Sequence, residues 1–173
     1  MSETKTITKQ RIMANKITGC VFDLDGTLAD TAPDIALALN KSLNDAGYRQ
    51  LSLESVKRMI GNGIPVLVRR ALFHVEAPDN LAPDVITSML SYSRKYYCEK
   101  SSLMHGVENC LEGLKKRAIP MSVCTNKDET VAQMVVSALG LNSYFNTIVG
   151  SRPDLVKKPD PSMLQIAAEA INS

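Results

Sequence analysis

The sequence predicts an α/β fold in which a Rossmann-like parallel sheet is interrupted by an all-helical block. Three short apolar runs, at residues 17–22, 119–124 and 146–149, each stop at polar or turn-forming residues. Runs of this length are typical of strands that are buried on both faces of a sheet. Helical patterns precede the second and third runs, and strands that alternate with helices favour a parallel sheet of βαβ units.

Helices of the sheet region are predicted from apolar residues that repeat every three or four positions. Gly140 is placed to end the second of them as a C-terminal cap. A third helix, at residues 162–171, follows Pro161, because proline favours a helix start. The apolar positions are Val107, Leu111 and Leu114, then Val131, Met134, Val135 and Ala138, then Met163, Ile166, Ala167 and Ala170.

Residues 33–103 form the predicted helical block, which separates the first strand from the rest of the sheet. Its second helix is expected to run through Ile60 to the turn Gly61-Asn62-Gly63. Its fourth helix carries a Met and Tyr stripe at helical spacing, which is typical of core packing. The predicted helix starts are Pro33, Ser52, Pro65 and Pro83, and the stripe is Val85, Met89, Tyr92 and Tyr96.

Composition and charge exclude several classes of protein. The 173 residues are 45% apolar and 22% charged, which is typical of a globular protein and excludes low-complexity or largely disordered chains. The 20 basic and 18 acidic residues give a formal charge of +2, so neither nucleic acid nor a membrane surface is expected as a partner. No apolar run approaches the roughly 18 residues of a membrane span.

The cysteines and the N-terminal segment predict a cytoplasmic protein. The four cysteines form no C-x-x-C pair, so buried reduced thiols are predicted rather than a structural zinc site or disulfides. Residues 1–16 are polar and lack the apolar stretch of a secretory signal, so a flexible arm is expected there. The cysteines are Cys20, Cys98, Cys110 and Cys124.

The strongest chemical signal is Asp23-Leu24-Asp25-Gly26-Thr27, directly after the first apolar run. Open parallel sheets bind ligands at the carboxyl ends of their strands, and two carboxylates at i and i+2 can serve one reaction centre while Leu24 points away. One carboxylate can attack phosphorus and the other can move protons. Gly26 would let backbone N–H groups approach a phosphate. The alternative is a solvated acidic turn.

Two weaker signals follow the other strands. Thr125 and Asn126 offer a hydroxyl and an amide to a phosphate oxygen, although Thr-Asn is also an ordinary N-cap for the next helix. Lys158, held by Pro159, could neutralise a phosphate, although such loops are usually solvated surface. Because parallel strands share one carboxyl edge, we expect all three sites to converge there.

These motifs resemble those of the haloacid dehalogenase (HAD) superfamily. Asp23-Leu24-Asp25-Gly26-Thr27, Thr125-Asn126 and Lys158-Pro159 are similar to its first three motifs. The resemblance runs from about Ile17 to the last residue and implies a HAD-like core at 17–32 and 104–173 with a helical cap at 33–103. The GNG turn, the segment 67–71 and Thr125-Asn126-Lys127 are similar, more narrowly, to bacterial phosphoglycolate phosphatases.

The resemblance implies a role for each matching residue. Asp23 would be the nucleophile and would ligate Mg²⁺ with its other oxygen. Asp25 would protonate the leaving alcohol, activate water and lend its backbone carbonyl to the metal. Thr125, the Asn126 backbone and Lys158 would hold the phosphoryl oxygens. Phosphoryl transfer needs mainly positioning and charge neutralisation, which these residue types supply.

The resemblance also implies a fourth motif, a strand beside the first one that ends in an acidic cluster and completes the Mg²⁺ site. After the lysine motif the sequence has only the helix 162–171, and the first strand would then lie at a sheet edge. A truncated form of an active family is the favoured explanation. A naturally shortened relative, or a strand supplied by another chain, is the alternative.

The predicted function is that of a Mg²⁺-dependent phosphomonoester hydrolase acting on 2-phosphoglycolate or a similar small phosphorylated metabolite. The alternatives are a related pyrophosphatase, sugar-phosphate phosphatase or phosphosugar mutase, and an inactive phosphate-binding or interaction protein. Arg69 and Arg70 could meet a substrate carboxylate, but a solvated helix face is the favoured role for both.

Overall fold

The three apolar runs form one parallel sheet in the computed structural model, which describes residues 17–171. The flexible arm predicted at 1–16 lies outside the described residues. The strands are β1 (Cys20–Phe22), β2 (Ala29–Asp30), β3 (Ser102–Leu103), β4 (Met121–Asp128) and β5 (Thr147–Ser151). The helices are α1 (Ala32–Asp45), α2 (Leu53–Lys57), α3 (Ile64–His74), α4 (Ala82–Lys95), α5 (Val107–Lys116), α6 (Glu129–Ala138) and α7 (Ser162–Glu169).

The sheet has the order β1-β4-β5, and both pairings are parallel. Val21 lies opposite Ser122, and Val123 lies opposite Ile148. This confirms the predicted Rossmann-like α/β class. β1 is an edge strand within residues 17–171, and its residues are only half-buried, so the prediction of a strand buried on both faces was wrong there.

Helices cover both faces of this sheet, because successive side chains of a strand point to opposite faces. Val123 packs in an apolar cluster with residues of α5 and α6, whereas Cys124 packs with Met163 and Ala167 of α7. The chain therefore places its functional loops at the edge of a sheet that is fixed from both sides.

The helices α1 to α4 have an apolar core of their own. Proline lies in the first turn of α1, α3 and α4, and the Ser52 hydroxyl accepts a hydrogen bond from the Ser55 N–H at 3.2 Å, as a helix cap does. The predicted Met and Tyr stripe of α4 is buried only in part. Val85 and Met89 lie in this core, while Tyr92 is half-buried and stacks on Tyr96.

Three details of the prediction were wrong. α2 ends at Lys57 rather than Ile60. β4 continues past Cys124 to Asp128, so the Thr-Asn pair lies within an irregular strand end and not in a loop. The segment 33–103 is not wholly helical, because β3 pairs antiparallel with β2 and joins the two ends of the helical block. Two-residue strands carry too little periodicity to be found from a sequence.

The four thiols are free, but they are not uniformly buried as predicted. Cys124 is buried, Cys20 and Cys98 are half-buried, and Cys110 is exposed on α5. Within residues 17–171, none of the helices combines the length and apolar character that crossing a membrane requires.

Candidate functional site

Polar side chains from three segments meet at the carboxyl edge of the sheet. Asp23 directly follows β1, Thr125 and Asn126 lie near the end of β4, and Lys158 lies between β5 and α7. Two lysines contact carboxylates that are distant in the sequence. Lys127 bonds Asp25, 102 positions away, and Lys158 bonds Asp23, 135 positions away. The structure thus brings the predicted residues together at the edge where open parallel sheets bind ligands.

Asp23 and Lys158 form an ion pair. Lys158 Nζ donates to Asp23 Oδ1 at 3.0 Å and to the Cys124 carbonyl at 2.7 Å. Asp23 Oδ1 also accepts the Leu24 N–H at 2.9 Å. Within the described part of the chain, Asp23 Oδ2 receives no hydrogen bond, and the Asp23 side chain is 43% exposed. One oxygen of the carboxylate is therefore held while the other has no hydrogen bond among the described residues, which suits a nucleophile.

Asp25 is held by two residues that the sequence reasoning did not select. Its Oδ1 accepts hydrogen bonds from the Thr31 hydroxyl and from Lys127 Nζ, the latter at 2.9 Å. Asp25 is 16% exposed and Lys127 is 11% exposed, so this ion pair is largely shielded from solvent. Thr31 lies at the start of α1 and is buried. A carboxylate with one occupied oxygen and fixed orientation suits general acid–base work.

The turn after Asp23 is shaped by Leu24 and Gly26. Leu24 is fully buried and does not line the cavity, so its side chain points away from the site as predicted. Its carbonyl accepts from the N–H groups of Leu28 and Ala29 at 3.0 and 3.1 Å. Gly26 has φ +78°, which side-chain-bearing residues rarely adopt. Its N–H donates to the Ala29 carbonyl at 2.8 Å, which closes the turn. The approach of other backbone N–H groups to a phosphate remains a prediction.

The Asn126 side chain joins three segments. Its Nδ2 donates to the Gly61 and Lys158 carbonyls, both at 3.1 Å, and its Oδ1 accepts the Lys158 N–H at 2.9 Å. Gly61 belongs to the turn before α3, so this amide ties the helical block to the loop of Lys158. A Cβ at Gly63 would lie 3.2 Å from the Asn126 carbonyl oxygen, which shows how closely the turn approaches β4.

The N-cap alternative for Thr125 and Asn126 was wrong. Asp128 caps α6, since its Oδ1 accepts the Val131 N–H at 3.1 Å. Thr125 is buried, and its hydroxyl accepts the Lys127 N–H at 3.3 Å. Next to it, burial raises the pKa of the Cys124 thiol, although Lys158 acts in the opposite direction, so the thiol stays protonated at neutral pH.

A small cavity of about 60 Å³ lies between the sheet edge and the helical block. Asp23, Asp25, Thr125 and Lys127 contribute its polar side. Its opposite wall is largely apolar and includes Ile35, Ile60, Ile64, Leu67 and Met89, together with the polar Ser93. The predicted arginines, at 69 and 70, do not line the cavity; both are exposed, one paired with Asp79 and the other bonded to the Met59 carbonyl.

The donor set fits a magnesium ion that keeps several waters. Mg²⁺ is usually bound through one or two carboxylates together with substrate phosphates. The Asp23 carboxylate and the backbone carbonyl of Asp25, two residues further on, would supply oxygen ligands of this kind. Within residues 17–171, no three His, Cys, Asp or Glu side chains group as a complete metal cage.

The chain belongs to the haloacid dehalogenase-like hydrolase family, whose model matches residues 20–173. It is similar to the phosphoglycolate phosphatase of Colwellia psychrerythraea, with 33% identity over 157 residues that cover 88% of this chain and 70% of the relative. It is 37% identical over 161 residues to that of Pseudomonas savastanoi pv. phaseolicola, of which it covers 58%. These relatives confirm the prediction of a HAD-like phosphatase.

Solved structures show the same fold. A predicted phosphoglycolate phosphatase from Haemophilus somnus 129PT superposes with a TM-score of 0.82 and 29% identity, over 90% of this chain and 72% of that one. CbbY from Rhodobacter sphaeroides, in complex with xylulose-(1,5)bisphosphate, superposes with a TM-score of 0.72 and 20% identity, over 91% and 73% of the two chains. The second likeness concerns the fold alone.

Proposed function

We propose that this protein is a Mg²⁺-dependent phosphomonoester hydrolase that acts through an aspartyl-phosphate on Asp23. The proposed substrate is 2-phosphoglycolate or a similarly small phosphorylated metabolite. The observation that carries the proposal is the ion pair of Asp23 and Lys158, which occupies one carboxylate oxygen and leaves the other without a hydrogen bond within residues 17–171, at a cavity that Asp25 also lines.

In the proposed reaction, Asp23 Oδ2 attacks the phosphorus atom and the bond from phosphorus to the leaving oxygen breaks. Asp25 gives a proton to the leaving alkoxide. Asp25 then takes a proton from water, whose oxygen attacks the same phosphorus, and the Asp23 carboxylate and inorganic phosphate are released. This sequence needs one carboxylate as nucleophile and one as acid and base, which is the pairing at this edge.

The phosphoryl oxygens would be held by Thr125, Asn126 and Lys158. Lys158 Nζ, 3.0 Å from Asp23 Oδ1, places positive charge beside the group that would carry the phosphoryl. A bound Mg²⁺, held by the Asp23 carboxylate and the Asp25 carbonyl, would neutralise phosphoryl charge. Positioning and charge neutralisation are what phosphoryl transfer requires of a protein.

We also propose the division into a core at 17–32 and 104–173 and a cap at 33–103. The cap would close over the sheet edge, exclude water and select the leaving group. The separate apolar core of α1 to α4 and the ribbon of β2 and β3 at the two ends of the block support this division. A cytoplasmic location remains a prediction of the sequence.

The cavity favours a small substrate over a sugar phosphate. A volume of about 60 Å³ holds only a few water molecules. The cap side of the wall is mostly apolar and carries the Ser93 hydroxyl, whereas a site for a hydroxyl-rich sugar would need polar partners for each buried hydroxyl. The sugar-phosphate and mutase alternatives are therefore less well supported than phosphoglycolate.

The test is phosphate release from 2-phosphoglycolate, pyrophosphate and a sugar phosphate, with Mg²⁺ and with a chelator. We expect release from 2-phosphoglycolate with Mg²⁺ and none with the chelator. Asp23→Asn should abolish release while circular dichroism shows an unchanged fold. If the wild type releases no phosphate in a metal-dependent way, the enzyme proposal is rejected. Phosphate binding without turnover would then identify the alternative, a phosphate-binding protein.

A further inference from the structure

We infer that Lys127 binds a carboxylate on the leaving group and thereby selects substrates whose alcohol product is an anionic hydroxy acid. This inference deepens the proposed function and rests on it. Its basis is that the Lys127 ammonium lies beside Asp25 and that Lys127 lines the cavity. The roles proposed above for Asp23, Thr125, Asn126 and Lys158 do not account for a lysine at this position.

Lys127 is the only cationic side chain among the described residues that line the cavity. Its side chain is 11% exposed, and a charge at that depth is costly unless it is paired. An ammonium group has three N–H donors. Among the contacts within residues 17–171, one of them is donated, to Asp25 Oδ1 at 2.9 Å. The remaining donors are available to an anionic ligand in the cavity.

The position of Lys127 matches the shape of a small hydroxy acid. In 2-phosphoglycolate, one methylene carbon separates the ester oxygen from the carboxylate. The group that protonates the ester oxygen must therefore lie next to the group that binds the carboxylate. Asp25 is the proposed proton donor, and Lys127 Nζ lies 2.9 Å from its Oδ1. Lys158, the other paired lysine of the site, is bonded to Asp23 and to the Cys124 carbonyl and so serves the phosphoryl side.

The two arginines predicted from the sequence do not offer this contact. Arg69 is exposed and paired with Asp79, and Arg70 is exposed and bonded to the Met59 carbonyl. Neither belongs to the cavity wall. The apolar wall opposite the carboxylates makes the charge of Lys127 more effective, because interactions between charges strengthen where water is excluded.

The experiment compares 2-phosphoglycolate with ethyl phosphate, which replaces the carboxylate by a methyl group. The proteins are the wild type, Lys127→Met, Lys127→Arg and, as a matched control, Lys116→Met on the exposed face of α5. The readout is the ratio of kcat/KM for the two esters, since a general loss from disturbing Asp25 cancels in that ratio.

We expect the wild type and Lys116→Met to prefer 2-phosphoglycolate. Lys127→Met should reduce the preference by roughly 10- to 100-fold, the range for a lost hydrogen bond to a charged group. Lys127→Arg should restore part of it. An equal loss on both esters in Lys127→Met would overturn the inference and leave Lys127 as a positioning residue for Asp25. If the methionine variant does not fold, Lys127→Gln carries the same comparison.

A binding measurement keeps this inference separate from the proposed function. Calorimetry of 2-phosphoglycolate and ethyl phosphate against Asp23→Asn, with and without Lys127→Met, needs no turnover. Wild-type protein that hydrolyses neither ester would reject the proposed function. In that case the inference stands if Lys127→Met weakens binding of 2-phosphoglycolate alone, and it is overturned if the methionine variant binds both esters as Asp23→Asn does.

Discussion

Replacing Asn126 with alanine should both destabilise the protein and slow its turnover. The side chain is 8% exposed and makes three hydrogen bonds of 2.9 to 3.1 Å that join the Gly61 turn, β4 and the loop of Lys158. A hydrogen bond within a protein contributes about 0.5–1.5 kcal/mol net, so three of them sum to about 1.5–4.5 kcal/mol. We expect the free energy of unfolding to fall by about 3 kcal/mol.

Urea denaturation with matched m-values measures this change. Asn126→Asp refines it, because aspartate keeps the acceptor for the Lys158 N–H but loses both donations to carbonyls. It should therefore also be destabilised, and its kcat/KM should fall with that of Asn126→Ala. The matched control is Asn142→Ala, since Asn142 is exposed and its side chain donates one hydrogen bond, to the Ser137 hydroxyl, among the described residues.

Equal unfolding free energies for Asn126→Ala and Asn142→Ala would refute the reasoning. That result would mean that the three contacts do not hold the Gly61 turn against the sheet edge in solution. A stable Asn126→Ala with unchanged kcat/KM would further show that the position of Lys158 does not depend on this amide.

Three other perturbations follow from the same contacts. Asp34 is 4% exposed and accepts hydrogen bonds from the backbone at 100–101, so Asp34→Ala should lower the free energy of unfolding by about 2–5 kcal/mol, measured in urea. Hydrogen bonds at the start of α7 hold the pKa of Asp160 below its ordinary value of 3.8. Ionised Asp160 therefore stabilises the folded protein above pH 3.8, and this stabilisation is lost as the pH falls through the lowered pKa. The wild type should have a higher urea midpoint than Asp160→Asn at neutral pH, and this difference should disappear in acid. Finally, the exposed Cys110 should react with a thiol reagent well before Cys124, because burial raises the pKa of the Cys124 thiol. Mass spectrometry of the labelled peptides measures the two rates, and equal rates would contradict the placement of the two thiols.

The sequence was sufficient to predict the sheet and the helices because their signals are local. The apolar runs at 17–22 and 146–149 and the prolines in first helical turns are each recognised from a few neighbouring residues. The end of β4 at Asp128 could not be found in this way, because Thr125 and Asn126 have the composition of a loop and lie in an irregular stretch between the pairing of Cys124 with Val149 and that of Asp128 with Ser151.

The partners of the two carboxylates show the same limit at the site. Asp23 and Asp25 were evident from their spacing and position, and Lys158 from its place before a proline. Thr31 and Lys127 were not, because the contact that each makes with Asp25 exists only in the folded chain. One signal for Lys127 was available, since it directly follows the Thr-Asn pair.

The most direct test of the account is a search for a phosphoryl group on Asp23 during turnover. The protein is mixed with 2-phosphoglycolate and Mg²⁺, quenched rapidly in acid, digested and examined by mass spectrometry. The account predicts the added mass of one phosphoryl group on the peptide that contains Asp23, and its absence in Asp23→Asn. Phosphate release with no phosphorylated peptide, or with Asp23→Asn as active as the wild type, would contradict it.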